Sequence, residues 1–234
     1  MATNATNIVL VHGFWADGSS WSKEIPILEN AGHQVIAVQL TLHSLADDVA
    51  TTKRAVVQLG GPTILVGHSY GDFVITNAAY NNPNVTGLVY IAALAPDEGE
   101  SLNDYVKTWP KDFLKTLDNV KPDSGGFLFI SQEKFRESFA QDVDGTEADI
   151  MAVVQKLPNQ SIFAEKSGPP AWNQLPAWFQ VSENDRIIYP DAERNFAERM
   201  NATTLSLNSS HASLVSHPDE IAELILNATK VSTK

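Results

Sequence analysis

The chain has no cysteine among its 234 residues, which rules out disulfides and thiolate metal sites. Basic residues are scarce: 16 Lys and Arg stand against 28 Asp and Glu, a formal net charge of −12. Nucleic acid and anionic membrane both call for basic surface, so neither is expected as a partner. Long apolar runs are also missing, and none approaches the ~20 residues that span a bilayer. The opening, Met1-Ala2-Thr3-Asn4-Ala5-Thr6-Asn7, is polar and lacks a basic segment leading into an apolar one, so a cytoplasmic protein or a processed mature form is expected. What is present is a hydrophobic fraction of 43%, enough for a substantial core, and a length that suits one domain with room for an insertion.

Strand-like and helix-like segments alternate along the first part of the chain. Asn7–Val11 reads as an apolar strand, followed by the loop His12-Gly13-Phe14-Trp15-Ala16-Asp17-Gly18 and an amphipathic helix near Ser19–Asn30. Gln34–Gln39 reads as a second strand, and Ser44-Leu45-Ala46-Asp47 has capping-box spacing at the head of a helix that Gly60-Gly61-Pro62 stops. Thr63–Val66 and Val85–Ala92 read as a third and a fourth strand, with a helix-like stretch from Phe73 to Ala79 between them. Strands this uniformly apolar fit a parallel sheet covered by helices on both faces.

From about residue 96 to residue 176 the rhythm breaks. The segments look helical, are separated by Gly- and Pro-rich loops such as Asp123-Ser124-Gly125-Gly126, and carry many aromatics. Strand Ala177–Ser182, helix Pro190–Met200, strand Ala202–Leu207 and a helix from Pro218 to about Asn227 then restore the pattern. We expect a core over 1–95 and 177–234, with a helical cap inserted over 96–176.

The chemistry centres on Gly67-His68-Ser69-Tyr70-Gly71, which joins an apolar strand to a helix. Gly-x-Ser-x-Gly in that setting is a nucleophile elbow: the turn is tight, small residues flank it, and the serine hydroxyl stands clear of the sheet. A serine hydroxyl is a weak nucleophile and needs a base, and the base needs an orienting acid. His211, in Ser209-Ser210-His211-Ala212-Ser213 just past the final strand, is the expected base. Asp185, in Ser182-Glu183-Asn184-Asp185-Arg186, is the first candidate for the acid. Asp97, after the fourth strand, is its rival. The expected oxyanion donors are the backbone N–H groups of Tyr70 and Phe14, and Phe14 and Trp15 are the expected substrate contacts. Among the other histidines, His12 is expected to hold its loop, His68 to point away from Ser69, and His43 to be a possible pocket residue.

The chain resembles the compact α/β-hydrolases of the plant methylesterase and hydroxynitrile lyase type and their bacterial and fungal relatives. The resemblance rests on Val9-Leu10-Val11-His12-Gly13-Phe14-Trp15, on Gly67–Gly71, Ala92–Pro96, Ser182–Ile187 and Ser210–Pro218, and on the lead-in Pro170–Phe179. It implies a mostly parallel six-stranded sheet with an inserted helical cap, a Ser69–Asp185–His211 triad, and esterase-type chemistry on a small-molecule ester with no metal or organic cofactor. Hydroxynitrile lyases of the type carry Thr where this chain has Gly13 and Lys where it has Ala212, so the resemblance favours ester hydrolysis. Dehalogenases and epoxide hydrolases of the fold use an Asp nucleophile where this chain has Ser69. Other chemistries on the same triad (lactonase, thioesterase, C–C hydrolase, cofactor-free oxygenase or perhydrolase) and a non-catalytic receptor are the alternatives. One departure stands out: Asp72 occupies a place where relatives usually have a second Gly. It is expected to face solvent or cap the helix, with negative charge close to Ser69 if it turns inward.

Overall fold

The structure, a computed structural model, describes residues 6–231; residues 1–5 of the polar opening lie outside them. The apolar runs read from the sequence become strands β1 (Asn7–Val11), β2 (Val35–Ala37), β3 (Thr63–His68) and β4 (Val85–Ile91). Between them lie α1 (Glu24–Asn30), α2 (Leu45–Leu59) and α3 (Gly71–Ala79). The helix expected over Ser19–Asn30 is split into a 3-10 turn, Gly18–Trp21, and α1. Asp17 accepts the Ser19 N–H at 2.7 Å and so caps that turn separately. Ser44 caps α2 as its spacing predicts: its hydroxyl accepts the Asp47 N–H at 3.1 Å and donates to the Asp47 carboxylate at 2.8 Å.

After β4 the chain leaves the sheet. It forms α4 (Leu102–Val106), α5 (Lys111–Leu114), the strands β5 (Val120–Pro122) and β6 (Leu128–Ile130), α6 (Gln132–Phe139) and α7 (Gly145–Val154). The expectation of helices alone is corrected here, because β5 and β6 pair as an antiparallel ribbon. Its turn is built by Asp123, whose carboxylate accepts the N–H groups of Gly125 and Phe127 at 2.8 and 2.9 Å, and by Gly126 at φ 81°. The sheet resumes with β7 (Ala177–Ser182), α8 (Pro190–Arg199) and β8 (Thr203–Leu207), and the chain closes with α9 (Ser213–Ser216) and α10 (Pro218–Val231).

The main sheet has six strands in the order β2-β1-β3-β4-β7-β8, every neighbouring pair parallel. β1, β3 and β7 are buried along their whole length and most of β4 is, as continuous apolar runs under helices require. The strand order reverses between β1 and β3, and the loops leaving that point at the carboxyl edge diverge to open a crevice. Val11 of β1 pairs with Gly67 of β3, so the His12-Gly13-Phe14 loop runs beside the elbow at Ser69. The same edge carries the ends of β7 and β8, where Ser182 pairs with Leu207.

Candidate active site

Ser69 sits at φ 53°, a left-handed conformation that L-residues adopt only under constraint. Two close approaches impose it. A Cβ on Gly71 would lie 2.5 Å from the Val11 carbonyl oxygen, so only glycine lets α3 start against β1. A Cβ on Gly13 would lie 2.5 Å from the Ser69 Cβ and 3.1 Å from its Oγ, so the neighbouring loop closes directly onto the serine. Ser69 is buried apart from a 5% exposed remainder that faces a pocket of about 120 Å³.

The pocket wall is apolar except at Ser69. Phe14, Trp15, Tyr70, Leu94, Ile187 and Ile188 come from loops and turns at the sheet edge. Leu102, Val106, Trp109, Leu117, Val120, Leu128 and Phe163 come from the segment between β4 and β7. A larger surface groove of about 470 Å³ lies outside Trp15 and does not include the serine.

Asp185 and His211 meet. Nδ1 of His211 lies 2.5 Å from Oδ2 of Asp185, and both side chains are fully buried. The other Asp185 oxygen accepts the N–H groups of Ile187 and Ile188 at 2.6 and 2.9 Å. Those bonds hold the carboxylate in one orientation. With Nδ1 committed to Asp185, Nε2 is the free nitrogen of the ring; it is buried and has no hydrogen-bond partner among the described residues. Ser69 therefore does not yet bond to it, and such contacts often close only when substrate is bound. Asp97, the rival acid, is exposed, and its carboxylate accepts the neighbouring Glu98 N–H at 2.7 Å. Glu183 pairs outward with Arg194.

Residues not read from the sequence as part of the triad hold this pair. Nε2 of His68 lies 2.8 Å from the His211 carbonyl oxygen and donates to it, and the two rings are 4.8 Å apart. His68 thus turns away from Ser69, as expected, and anchors the backbone of His211. Burial is the main force pushing the His68 imidazole well below its ordinary pKa, with the neighbouring His211 adding to it. Asp142 accepts the Ser210 N–H at 2.9 Å and the Ser216 hydroxyl at 3.0 Å, gripping the loop on both sides of His211. A buried chain from Ser213 to Gln180, Ser182 and Ser209 backs it at 2.7–3.1 Å. The local signal for Asp142 was weak, because its partners lie 68 and 74 residues away.

The candidate oxyanion residues are fixed through their side chains. The Phe14 ring stacks on Phe163 at 5.3 Å as well as on Tyr70. The Tyr70 hydroxyl donates to Asp48 at 3.1 Å, and the other Asp48 oxygen accepts from Thr41 and Leu42 at 2.7–3.1 Å. Trp15, at φ 56°, donates its backbone N–H to Lys156 at 3.0 Å and its indole N–H to Leu128 at 2.9 Å. His12 holds the loop as expected. Its Nδ1 donates to the Gly13 carbonyl at 2.8 Å and its Nε2 accepts the Leu40 N–H at 3.0 Å, a pattern that only the neutral ring can make. Burial accordingly pushes its pKa down to about 4. His43 is exposed, lies edge-on to Phe127 at 5.3 Å, and does not line the pocket.

Asp72 corrects the expectation that it faces solvent. It is wholly buried, and its carboxylate accepts the N–H groups of Phe73 and, from the loop after β4, of Leu94. It therefore fastens the elbow helix to a pocket-lining residue. Burial pushes its carboxyl well above the usual range, against the pull of those N–H groups.

The profile of the alpha/beta hydrolase family matches residues 8–224. This chain belongs to that family. It is 28% identical over 243 residues to the pyrethroid hydrolase of Sphingobium wenxiniae, covering 94% of this chain and 86% of that protein. To the polyneuridine aldehyde esterase of Rauvolfia serpentina it is 22% identical, covering 97% and 96%. The crystal structure of a pyrethroid hydrolase from Sphingobium faniae superposes with a TM-score of 0.79 at 24% identity, covering 97% of this chain and 98% of that one. That likeness carries the fold alone. The chain is an α/β-hydrolase, in agreement with the fold and enzyme class expected from its motifs. Among the described residues of this hydrolase, no helix is long and apolar enough to cross a membrane.

Proposed function

We propose that this α/β-hydrolase is a serine carboxylesterase acting on small, largely apolar esters through an acyl-enzyme on Ser69. The observation that carries the reading is the buried Asp185–His211 pair with Nε2 left free, packed against the elbow that presents Ser69 to an apolar pocket. Ser69 Oγ attacks the ester carbonyl carbon while His211 Nε2 takes its proton. The N–H groups of Phe14 and Tyr70 receive the tetrahedral oxyanion, each worth roughly 3 kcal/mol of barrier. The intermediate collapses, the C–O bond to the alcohol breaks, and His211 returns the proton to that oxygen. Water then attacks the acyl group with His211 again as base, and the acid leaves as Ser69 regains its proton. Asp185 orients the imidazole and stabilises its cation.

Residues 96–176 act as a cap whose side chains choose the substrate, and the apolar wall suits an acyl or alcohol part without charge. The names of the pyrethroid hydrolase and the polyneuridine aldehyde esterase support an ester as the class of substrate. The test is turnover of p-nitrophenyl acetate and butyrate by wild type and Ser69→Ala, with mass spectrometry of the quenched reaction. The reading expects an acyl adduct on the peptide bearing Ser69 and loss of turnover by at least ~10³-fold in the variant. Undiminished turnover in Ser69→Ala sinks it.

A further inference from the structure

The loops that carry Asp185 and His211 leave neighbouring strands, β7 and β8, and run side by side only briefly. Among the described residues, the last backbone bond between them joins the Asn184 N–H to the Ser209 carbonyl at 3.1 Å. Beyond that point both loops are bonded to a third piece of chain, residues 137–142, where α6 ends and turns towards α7.

The bonds fall directly beside the two triad residues. Gln141 Nε2 donates to the carbonyl of Asn184, the residue before Asp185, at 2.7 Å. Arg186, the residue after Asp185, donates a guanidinium N–H to the Glu137 carbonyl at 2.8 Å. On the other loop a single oxygen of Asp142, Oδ2, takes both the Ser210 N–H and the Ser216 hydroxyl. Between these anchors the buried Phe139 ring stands edge-on to the His211 imidazole, with centroids 4.9 Å apart. The corner is itself braced: the Val143 N–H donates to the Ala140 carbonyl at 3.1 Å, and the Arg136 guanidinium to the Val143 carbonyl at 3.3 Å.

Directed bonds are needed here because burial offers little. Glu137, Asn184 and Arg186 are exposed and Gln141 is half-buried, so the outer side of the acid loop has little apolar surface to seat it. A shift of about 1 Å in a catalytic group can cost as much as a hundredfold in rate.

We propose that residues 137–142 form a staple between the acid and base loops, with Gln141 and Asp142 as positioning residues that hold Asp185 and His211 at bonding distance. This rests on the catalytic reading above. The staple belongs to the same segment that walls the pocket. A change in how that segment seats on the sheet edge therefore reaches the Asp185–His211 bond as well as the substrate.

The experiment compares wild type with Gln141→Ala, Asp142→Ala, Asp142→Asn and the double Ala variant on p-nitrophenyl butyrate, with kcat taken per titrated active serine. Asp142→Ala is expected to lower kcat about tenfold and Gln141→Ala about threefold, each with KM changed less than about twofold. Asp142 also carries a charge 4.0 Å from His217 Nε2, and His217 lies 3.5 Å from Glu220. Asp142→Asn drops that charge but keeps an oxygen for Ser210 and Ser216, and should restore most of the kcat. An Asn variant as slow as Ala assigns the effect to charge and overturns the proposal. A staple cut at one end is already open, so the double variant should be no slower than about tenfold. Losses that multiply to about thirtyfold mark two separate anchors, and that too overturns it.

A second measurement needs no turnover and no Asp142 variant. In protein labelled with ¹⁵N-histidine, Gln141→Ala is expected to move the His211 Nδ1 resonance and speed solvent exchange of its proton, although Gln141 bonds only to the acid loop. An unchanged resonance and exchange rate overturn the proposal. A wild type that turns over no ester counts instead against the catalytic reading, and the nitrogen spectrum still decides the staple.

Discussion

The rings of Phe14 and Tyr70 lie 4.3 Å apart and 17° from parallel. These two residues belong to different loops, one after β1 and one at the elbow, yet their backbones are the proposed oxyanion donors. The stack makes the spacing of those donors a property of side-chain packing. Phe14→Ala removes it. We expect kcat for short esters to fall about 10- to 100-fold, as when an oxyanion donor is lost or displaced. The protein should lose about 3–4 kcal/mol of stability from the cavity. Steady-state kinetics beside urea denaturation separate the two effects, and an unchanged kcat in a folded variant removes Phe14 from the oxyanion site.

Asp72 supplies a second test. Both of its oxygens accept backbone N–H groups, so neither can become a donor without facing another donor. Asp72→Asn puts an NH₂ against the N–H of either Phe73 or Leu94. The expected cost is about 2–3 kcal/mol, which for a chain of this size lowers Tm by roughly 5–10 °C. Calorimetry checks it. A variant as stable as wild type contradicts the pinning role assigned to this carboxylate.

Glu24 gives the pH dependence. It is fully buried, neither carboxylate oxygen has a partner among the described residues, and burial pushes its pKa from 4.5 up to about 8. Between those two values the folded protein binds a proton that the unfolded chain has released. The contribution is therefore complete below about pH 4.5 and lost as pH rises through about 8. The loss is on the order of 5 kcal/mol. Glu24→Gln should melt like wild type near pH 5 and progressively higher than wild type towards pH 8–9. Parallel melting curves across that range would show that Glu24 does not titrate as described.

Strands β1, β3 and β7 were legible because buried parallel strands are short apolar runs bounded by turn residues. Ser44 and the elbow were legible because their partners lie within a few residues. The β5–β6 ribbon was not. Each strand has three residues, too few to show a period, and a bridge between Phe127 and Asn159 continues the pairing beyond the ribbon. Asp72 and Glu193 were misleading or silent for a related reason. A carboxylate in a helix reads as a solvated face, and only the fold brings Leu94 to one and Ser182 to the other. The same holds for Asp48, one residue past the Ser44–Asp47 helix start, which holds the hydroxyl of Tyr70.

The pocket has a floor and a roof of different pliability. The floor is built where Gly13 and Gly71 admit not even a methyl group, so mutation there is nearly forbidden. The roof comes from Leu102, Val106, Trp109, Leu117, Val120, Leu128 and Phe163, side chains on short helices and a small ribbon with few such close approaches. Drift in six of those positions, all but the Phe163 that stacks on Phe14, can reshape what fits while leaving the proposed machinery for bond cleavage untouched. A lineage built this way can change its diet quickly without relearning its chemistry.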